Sequence, residues 1–374
     1  MIHPILISID TSIYGEAADD YYCNDRRRSE SAKKFVEFVV DKGLVPFFSY
    51  HHIQEILQHD NDTVVFNRWS LIRKFPTVSW FCSHANKTFI GSAFDIHVAE
   101  VKYLTGESMQ GVKEIIRNVK NDLIMYSSGE DFVNQFEPVC RELRNHGYID
   151  IQQSKSIESI SHVRDKRIDK IKLSDLESLV LKSPIEVEKS LSSHKKHIEE
   201  LLVEKGDIKL TNHASISEQF VDYVKDKGNL FYNSDGLSLL EKIVKNSGVE
   251  LSQINSKTTI GDLGYLAIYN SKMKLIAKSL GCDIGAFSGL SQDSIPSWVI
   301  WREIDKMMKN ETKANGSNMV DKHIAILACY VDILIIDKRV REYFRQLERK
   351  APILSGCFND VVKLPHYSEL KSYV

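Results

Sequence analysis

The sequence predicts an α/β fold in which a parallel-sheet core is split by a mostly helical inserted lobe. Three observations predict it. Strand and helix patterns alternate twice within the first 60 residues, a helix–strand–helix pattern returns near the C-terminus, and the stretch between them shows helical periodicity with few strand-like runs. Residues 1–60 are thus expected to form the first part of the core, 61–295 the inserted lobe, and 296–374 the second part of the core.

Ile5 to Ile9 is a short apolar run ended by Asp10, the pattern of a strand buried on both faces. A polar stretch through Arg26-Arg27-Arg28 follows and reads as a solvated loop, with a phosphate contact as its functional alternative. Ser31 to Asp41 carries Phe35, Phe38 and Val39 at helical spacing, and Gly43 is placed to stop that helix. Leu44 to Phe48 is a second strand. Ser49 is an N-cap for a helix with Ile53, Ile56 and Leu57 on one face. In the middle, Ile171 to Leu202 is helical in period, with Pro184 dividing it in two. Leu237 to Asn246, stopped by Gly248, and Gly264 to Leu280 are further helical blocks, with Gly261-Asp262-Leu263-Gly264 read as a turn. Pro296-Ser297 opens a helix in which Trp298 and Trp301 belong to the core, and Asn315-Gly316-Ser317 is a turn. Asp321 to Tyr330 is helical, Val331 to Ile336 is a strand ending at Asp337, and Lys338 to Lys350 is a basic amphipathic helix.

Composition sets limits. A chain of 374 residues is long enough for about two domains. Its 43% apolar and 27% charged residues exclude wholesale disorder, and 49 basic against 51 acidic residues leave a formal charge of −2. There is no global field to hold nucleic acid or an anionic membrane, so any polyanion site must be a local basic patch. The six cysteines are scattered, with no CxxC spacing, as expected of reduced thiols in a cytoplasmic protein. The N-terminal apolar stretch, broken by Ser8 and Asp10, lacks the form of a signal peptide, and no membrane association is expected.

Four carboxylates fall where the expected elements can bring them together. Asp10 and Asp337 end strands, Glu55 lies on the helix after the second strand, and Asp321 begins a helix. Open parallel sheets bind ligands beyond the carboxyl ends of their strands. Clustered carboxylates raise each other's pKa unless a cation intervenes, and oxygen-only ligation suits Mg²⁺ or Mn²⁺ rather than zinc. The other reading of the same four residues is as helix caps and solvated loop carboxylates.

At these positions the sequence resembles a family. The block Asp321-Lys322-His323-Ile324-Ala325 … Tyr330-Val331-Asp332-Ile333-Leu334-Ile335-Ile336-Asp337 is similar to the C-terminal signature of PIN-like nucleases. Ile7-Ser8-Ile9-Asp10-Thr11-Ser12 resembles the family's first acidic strand, and Val45-Pro46-Phe47-Phe48-Ser49 … Glu55-Ile56-Leu57 its second segment. Ile336 stands where the family often carries Thr or Ser. The resemblance implies a three-layer α/β/α PIN-like core and a metal-dependent endonuclease cutting RNA, or DNA less often. By position, Asp10, Glu55, Asp321 and Asp337 are then the catalytic, metal-binding carboxylates for Mg²⁺ or Mn²⁺. By the same analogy the setting is a toxin or anti-phage defence system. The candidate partners are nucleic acid, RNA before DNA, and, apart from the resemblance, a regulatory protein docked on the helical lobe or a second copy of the chain. The alternative of another class is a non-catalytic PIN-like scaffold or effector subunit whose helical lobe binds a protein or RNA.

Lys338, Arg341, Arg345 and Arg349 recur at spacings of three and four, opposite a Val340, Phe344 and Leu347 stripe. Lys338, Arg341 and Arg345 are the candidate nucleic-acid contacts beside the carboxylates; the plain alternative is the wet face of an amphipathic helix. His51, His52 and His59 lie near Glu55 without the HExxH pattern of a zinc site and read as surface or helix-start histidines.

Overall fold

The computed structural model describes residues 4–106, 111–163, 167–178, 184–207, 212–232, 239–313 and 317–374. The chain divides into two compact units, the first of residues 1–150, 286–307 and 319–374 and the second of 151–285 and 308–318.

The first unit is α/β. Its elements are β1 (Ile5–Ile9), α1 (Thr11–Tyr21), α2 (Arg26–Asp41), β2 (Leu44–Phe48), α3 (Tyr50–Leu57), α4 (Asp62–Ile72), β3 (Val78–Phe81), α5 (Ala93–Leu104), α6 (Val112–Leu123), β4 (Ile124–Ser127) and the first part of α7 (Gly129–Val163). The six-stranded sheet has the order β4-β3-β2-β1-β5-β6, where β5 is Ile333–Ile335 and β6 is Asp360–Val362. All pairings are parallel except β3 with β4. The two central strands β1 and β2 are the near-continuous apolar runs, as strands covered on both faces must be. Ile7 and Ile9 of β1 pack in one core with Tyr14, Phe35, Phe48, Trp69 and Phe132. On the other face Phe47 stacks edge-on against Phe81, and Phe81 against Tyr330.

The sheet is wider than the sequence suggests, and this moves the boundary of the insertion. The expected break at residue 60 becomes Asp150, because α4 through β4 belong to the sheet unit. β3 is only four residues long, and β4 follows directly on α6, so neither makes a run long enough to stand out. The triple arginine is also not a loop. Asp25 accepts hydrogen bonds from the Arg27 and Arg28 amides at 2.9 and 3.1 Å, which starts α2 at Arg26. Gly43 ends α2 with a φ of 66°, a left-handed position that suits glycine.

The second unit contains α8 (Pro184–Lys205), α9 (His213–Tyr232), α10 (Leu239–Asn246) and α11 (Ile260–Leu280). α8 and α9 pack on each other, with Leu202 and Ile216 buried among Ile160 and Ile198. A second small core joins Leu173, Val244, Val249 and Leu263. Pro184 opens α8, its fixed φ suiting a first helical turn. The Gly261–Gly264 stretch lies in the start of α11, not in a turn, because Thr259 and Asp262 form a capping box that begins the helix there. Residues 179–183, 237–238 and 315–316 of the expected elements lie outside the described residues. No helix among the described residues is long and apolar enough to cross a membrane.

The first unit is completed by α12 (Pro296–Met308), between the two segments of the second unit, and by α13 (Asn318–Ala325) and α14 (Lys338–Lys350) after them. α13 starts three residues before Asp321 and passes into a 3₁₀ turn over Ile326–Cys329. On α14, Val340, Phe344 and Leu347 are buried, as the periodicity requires.

Candidate functional site

β1 and β5 are parallel neighbours, with Ile9 opposite Ile335, so both strands end at the same sheet edge. The amide of Asp10 donates to the Ile335 carbonyl at 3.0 Å, and Asp10 then caps α1 by accepting from the Ser12 amide at 2.8 Å and from the Ser12 hydroxyl. Asp337 does the same on β5, capping α14 by accepting from the Val340 amide at 2.6 Å. Each strand thus ends on a carboxylate fixed by a helix N-terminus, a placement the helix dipole favours. Both line a cleft of about 650 Å³ beyond the strand ends, with Ser12, Glu16, Asp19, Arg68, Lys338 and Lys363 among its walls.

Glu55 and Asp321 do not line that cleft. Glu55, half-buried on α3, accepts from the Thr11 hydroxyl at 2.5 Å. Burial pushes its carboxyl up to about 8, with the negative charges of Asp321 and Asp10 adding to the rise, while Thr11 and Arg68 oppose it. Asp10, Glu55 and Asp321 are therefore electrostatic neighbours. Asp321 is 2.7 Å from the Arg339 guanidinium, which also lies 3.6 Å from Asp337. A protein cation thus sits between two of the four carboxylates. Among the described residues no group of three or more His, Cys, Asp or Glu side chains could hold a metal ion as placed.

Comparison with protein-family models, with curated proteins and with solved structures gave no match.

Of the basic stripe, Lys338 lines the cleft, whereas Arg341 and Arg345 do not. Arg345 is exposed and pairs with Glu342 at 3.2 Å. Two cations beside the acids, Arg339 and Arg68, fall outside the periodic stripe. Arg339, one residue on from Lys338 and so off the stripe, pairs with Asp321, and Arg68 stands on α4, beyond the expected first part of the core. His51 and His52 stand in the first turn of α3, as helix-start histidines should, but they are not on the surface. His51 and His52 are buried, and burial lowers their rings to about 4 and about 3, so both are neutral at neutral pH. His52 is held between Ser49 and Ser8, 2.8 and 3.1 Å from their hydroxyls, and is part of the scaffold under Asp10. His59 is exposed, as expected.

A second buried carboxylate lies in the same unit. Glu100 accepts from the Ser297 amide at 3.1 and 3.2 Å, from the Ser297 hydroxyl and from Tyr330. Burial raises Glu100 to about 7, against the opposing pull of those donors. A carboxyl whose folded-state pKa lies above its unfolded value keeps its proton better when folded, so stability falls as pH rises from about 4.5 through about 7. Glu100→Gln is expected to remove that slope, a difference of order 3 kcal/mol between pH 5 and pH 8. Urea denaturation of both proteins at the two pH values checks it, and parallel pH dependences would rule the effect out.

Proposed function

We propose that the protein is a metal-dependent endonuclease that hydrolyses phosphodiester bonds, with RNA as its first substrate, on a PIN-like core. The observation that carries this reading is the adjacency of β1 and β5, which delivers Asp10 and Asp337 to one cleft beyond the strand ends. The donor set fits a hard divalent cation, being made only of carboxylate oxygens. Glu55, raised chiefly by burial, also feels the negative charges of Asp321 and Asp10, which places the three carboxylates near one another. Asp10, Glu55, Asp321 and Asp337 would hold Mg²⁺ or Mn²⁺, which supplies Lewis acidity toward the phosphate and eases ionisation of water. The chain's own part is positional. The caps on Asp10 and Asp337 fix two carboxylates, Thr11 orients Glu55, and Arg339 stands between Asp321 and Asp337. Loss of the Glu55 proton completes the negative set.

The test is direct. The full chain is expected to cut single-stranded or structured RNA with Mg²⁺ or Mn²⁺ and to lose all cleavage in EDTA. Cleavage that persists in chelator would exclude the mechanism. The Arg339 bridge favours one second reading, a non-catalytic PIN-like scaffold in which the guanidinium permanently replaces the metal. RNA binding without cutting under every metal condition would select it.

A further inference from the structure

We infer that Arg68, with Lys338 and Lys363, forms a phosphate-binding subsite in the cleft, which holds a monoanionic phosphodiester of the nucleic-acid strand beside Asp10; the inference rests on the nuclease reading for its substrate class. Three features carry it. Lys338 and Lys363 line the cleft, and neither has a carboxylate within ion-pairing distance among the described residues. Arg68 is largely enclosed, its side chain 17% exposed, yet among the described residues its only ion pair is a long 3.8 Å contact with Asp19. Its Nε and the Asp19 Oδ1 are buried with no hydrogen-bond partner. A guanidinium held this way has a planar fork of donors not committed to a bidentate carboxylate, and that fork matches phosphate oxygens.

The third feature is Gly15. It lies inside α1, where glycine is a poor helix former. A Cβ there would stand 2.7 Å from Arg68 Cζ and from Nη2, and 2.8 Å from Nε. The missing side chain therefore makes the seat on which the guanidinium lies against the helix at the cleft wall. The remaining walls include Glu16 and Asp19. These carboxylates disfavour a dianion and suit the single charge of a phosphodiester.

The experiment uses the full chain and a labelled hexauridylate with free 5′ and 3′ hydroxyls, so that every phosphate is a diester. Affinity is read by fluorescence anisotropy in EDTA and again in Ca²⁺, and thermal unfolding is measured for each variant. Arg68→Ala is expected to weaken binding at least about 10-fold, the effect of losing charge-assisted hydrogen bonds. Lys363→Ala should lower the salt slope by about 0.7, one single-strand phosphate contact. Gly15→Ala separates a binding role from a structural one. It displaces only the end of a flexible side chain and improves helix propensity, so Tm should hold or rise while affinity falls. Wild-type affinity in Arg68→Ala, or no binding by the wild type in either condition, overturns the subsite. If RNA is cut but Arg68 is indifferent, the subsite fails and the nuclease stands. If Arg68-dependent binding occurs with no cutting in Mg²⁺ or Mn²⁺, the subsite stands and the nuclease reading fails.

Discussion

Asp10→Asn is expected to lower RNA cleavage at saturating substrate by about three orders of magnitude or more, with affinity unchanged or improved. The size follows from the several kcal/mol that a metal contributes to transition-state charge, each 1.4 of which is tenfold in rate. The fold should not suffer. Asparagine keeps an oxygen for the Ser12 amide and is as good an N-cap as aspartate, so α1 and the β1 edge remain in place. Removing a negative charge from the cleft also reduces repulsion of the strand, hence the affinity expectation. The double variant Arg341→Glu with Arg345→Glu supplies the contrast. It leaves the buried Val340, Phe344 and Leu347 face untouched and reverses charge only outside the cleft. If the stripe carries phosphates, binding weakens alike for all sequences and the salt slope flattens by about 0.7 or more per lost contact. Single-turnover cleavage and a salt titration distinguish the two variants. An active Asp10→Asn enzyme would remove Asp10 from the metal set, and a stripe variant that binds like wild type would make the stripe a solvated helix face.

The elements that were legible in the sequence are those whose pattern is long or doubly buried. β1 and β2 announce themselves as apolar runs because both faces are covered, and α14 does so through the Val340, Phe344 and Leu347 period. β3, β4 and β6 are three or four residues long, too short for a period to emerge, and with them went the true extent of the first unit. The site divides the same way. Asp10 and Asp337 could be placed because strand ends and helix caps are local features, and a parallel β1–β5 pair puts them together. Arg339 and Arg68 could not, since their value depends on which helix faces which carboxylate. The burial of His51 and His52 was hidden for the same reason. Their partners Ser8 and Ala93 come from 44 and 42 residues away.

The largest stability effect is expected at the buried ion pair that holds the Asp321 helix. Lys322, adjacent to Asp321 on α13, donates to Asp305 of α12 at 2.7 Å, and the two side chains are only 7% and 4% exposed. The lysine also lies 5.8 Å from the centre of the Trp301 ring. Asp305→Ala leaves the ammonium buried without that carboxylate, and breaking such a pair costs about 3–5 kcal/mol, because an enclosed charge loses its main compensation. The double change Asp305→Leu with Lys322→Met removes both charges and fills similar volume, so it should regain most of the loss. Tryptophan fluorescence during urea unfolding reports the right unit, since Trp69, Trp80, Trp298 and Trp301 are the chain's four tryptophans and all lie in the first. A single-variant loss below about 1 kcal/mol would mean the pair is screened like a surface bridge. A double variant no more stable than Asp305→Ala would mean that packing, rather than charge, holds α13. Because Asp321 follows from the same helix, cleavage should recover only in variants that recover stability, which ties the scaffold of this pair to the geometry of the carboxylates.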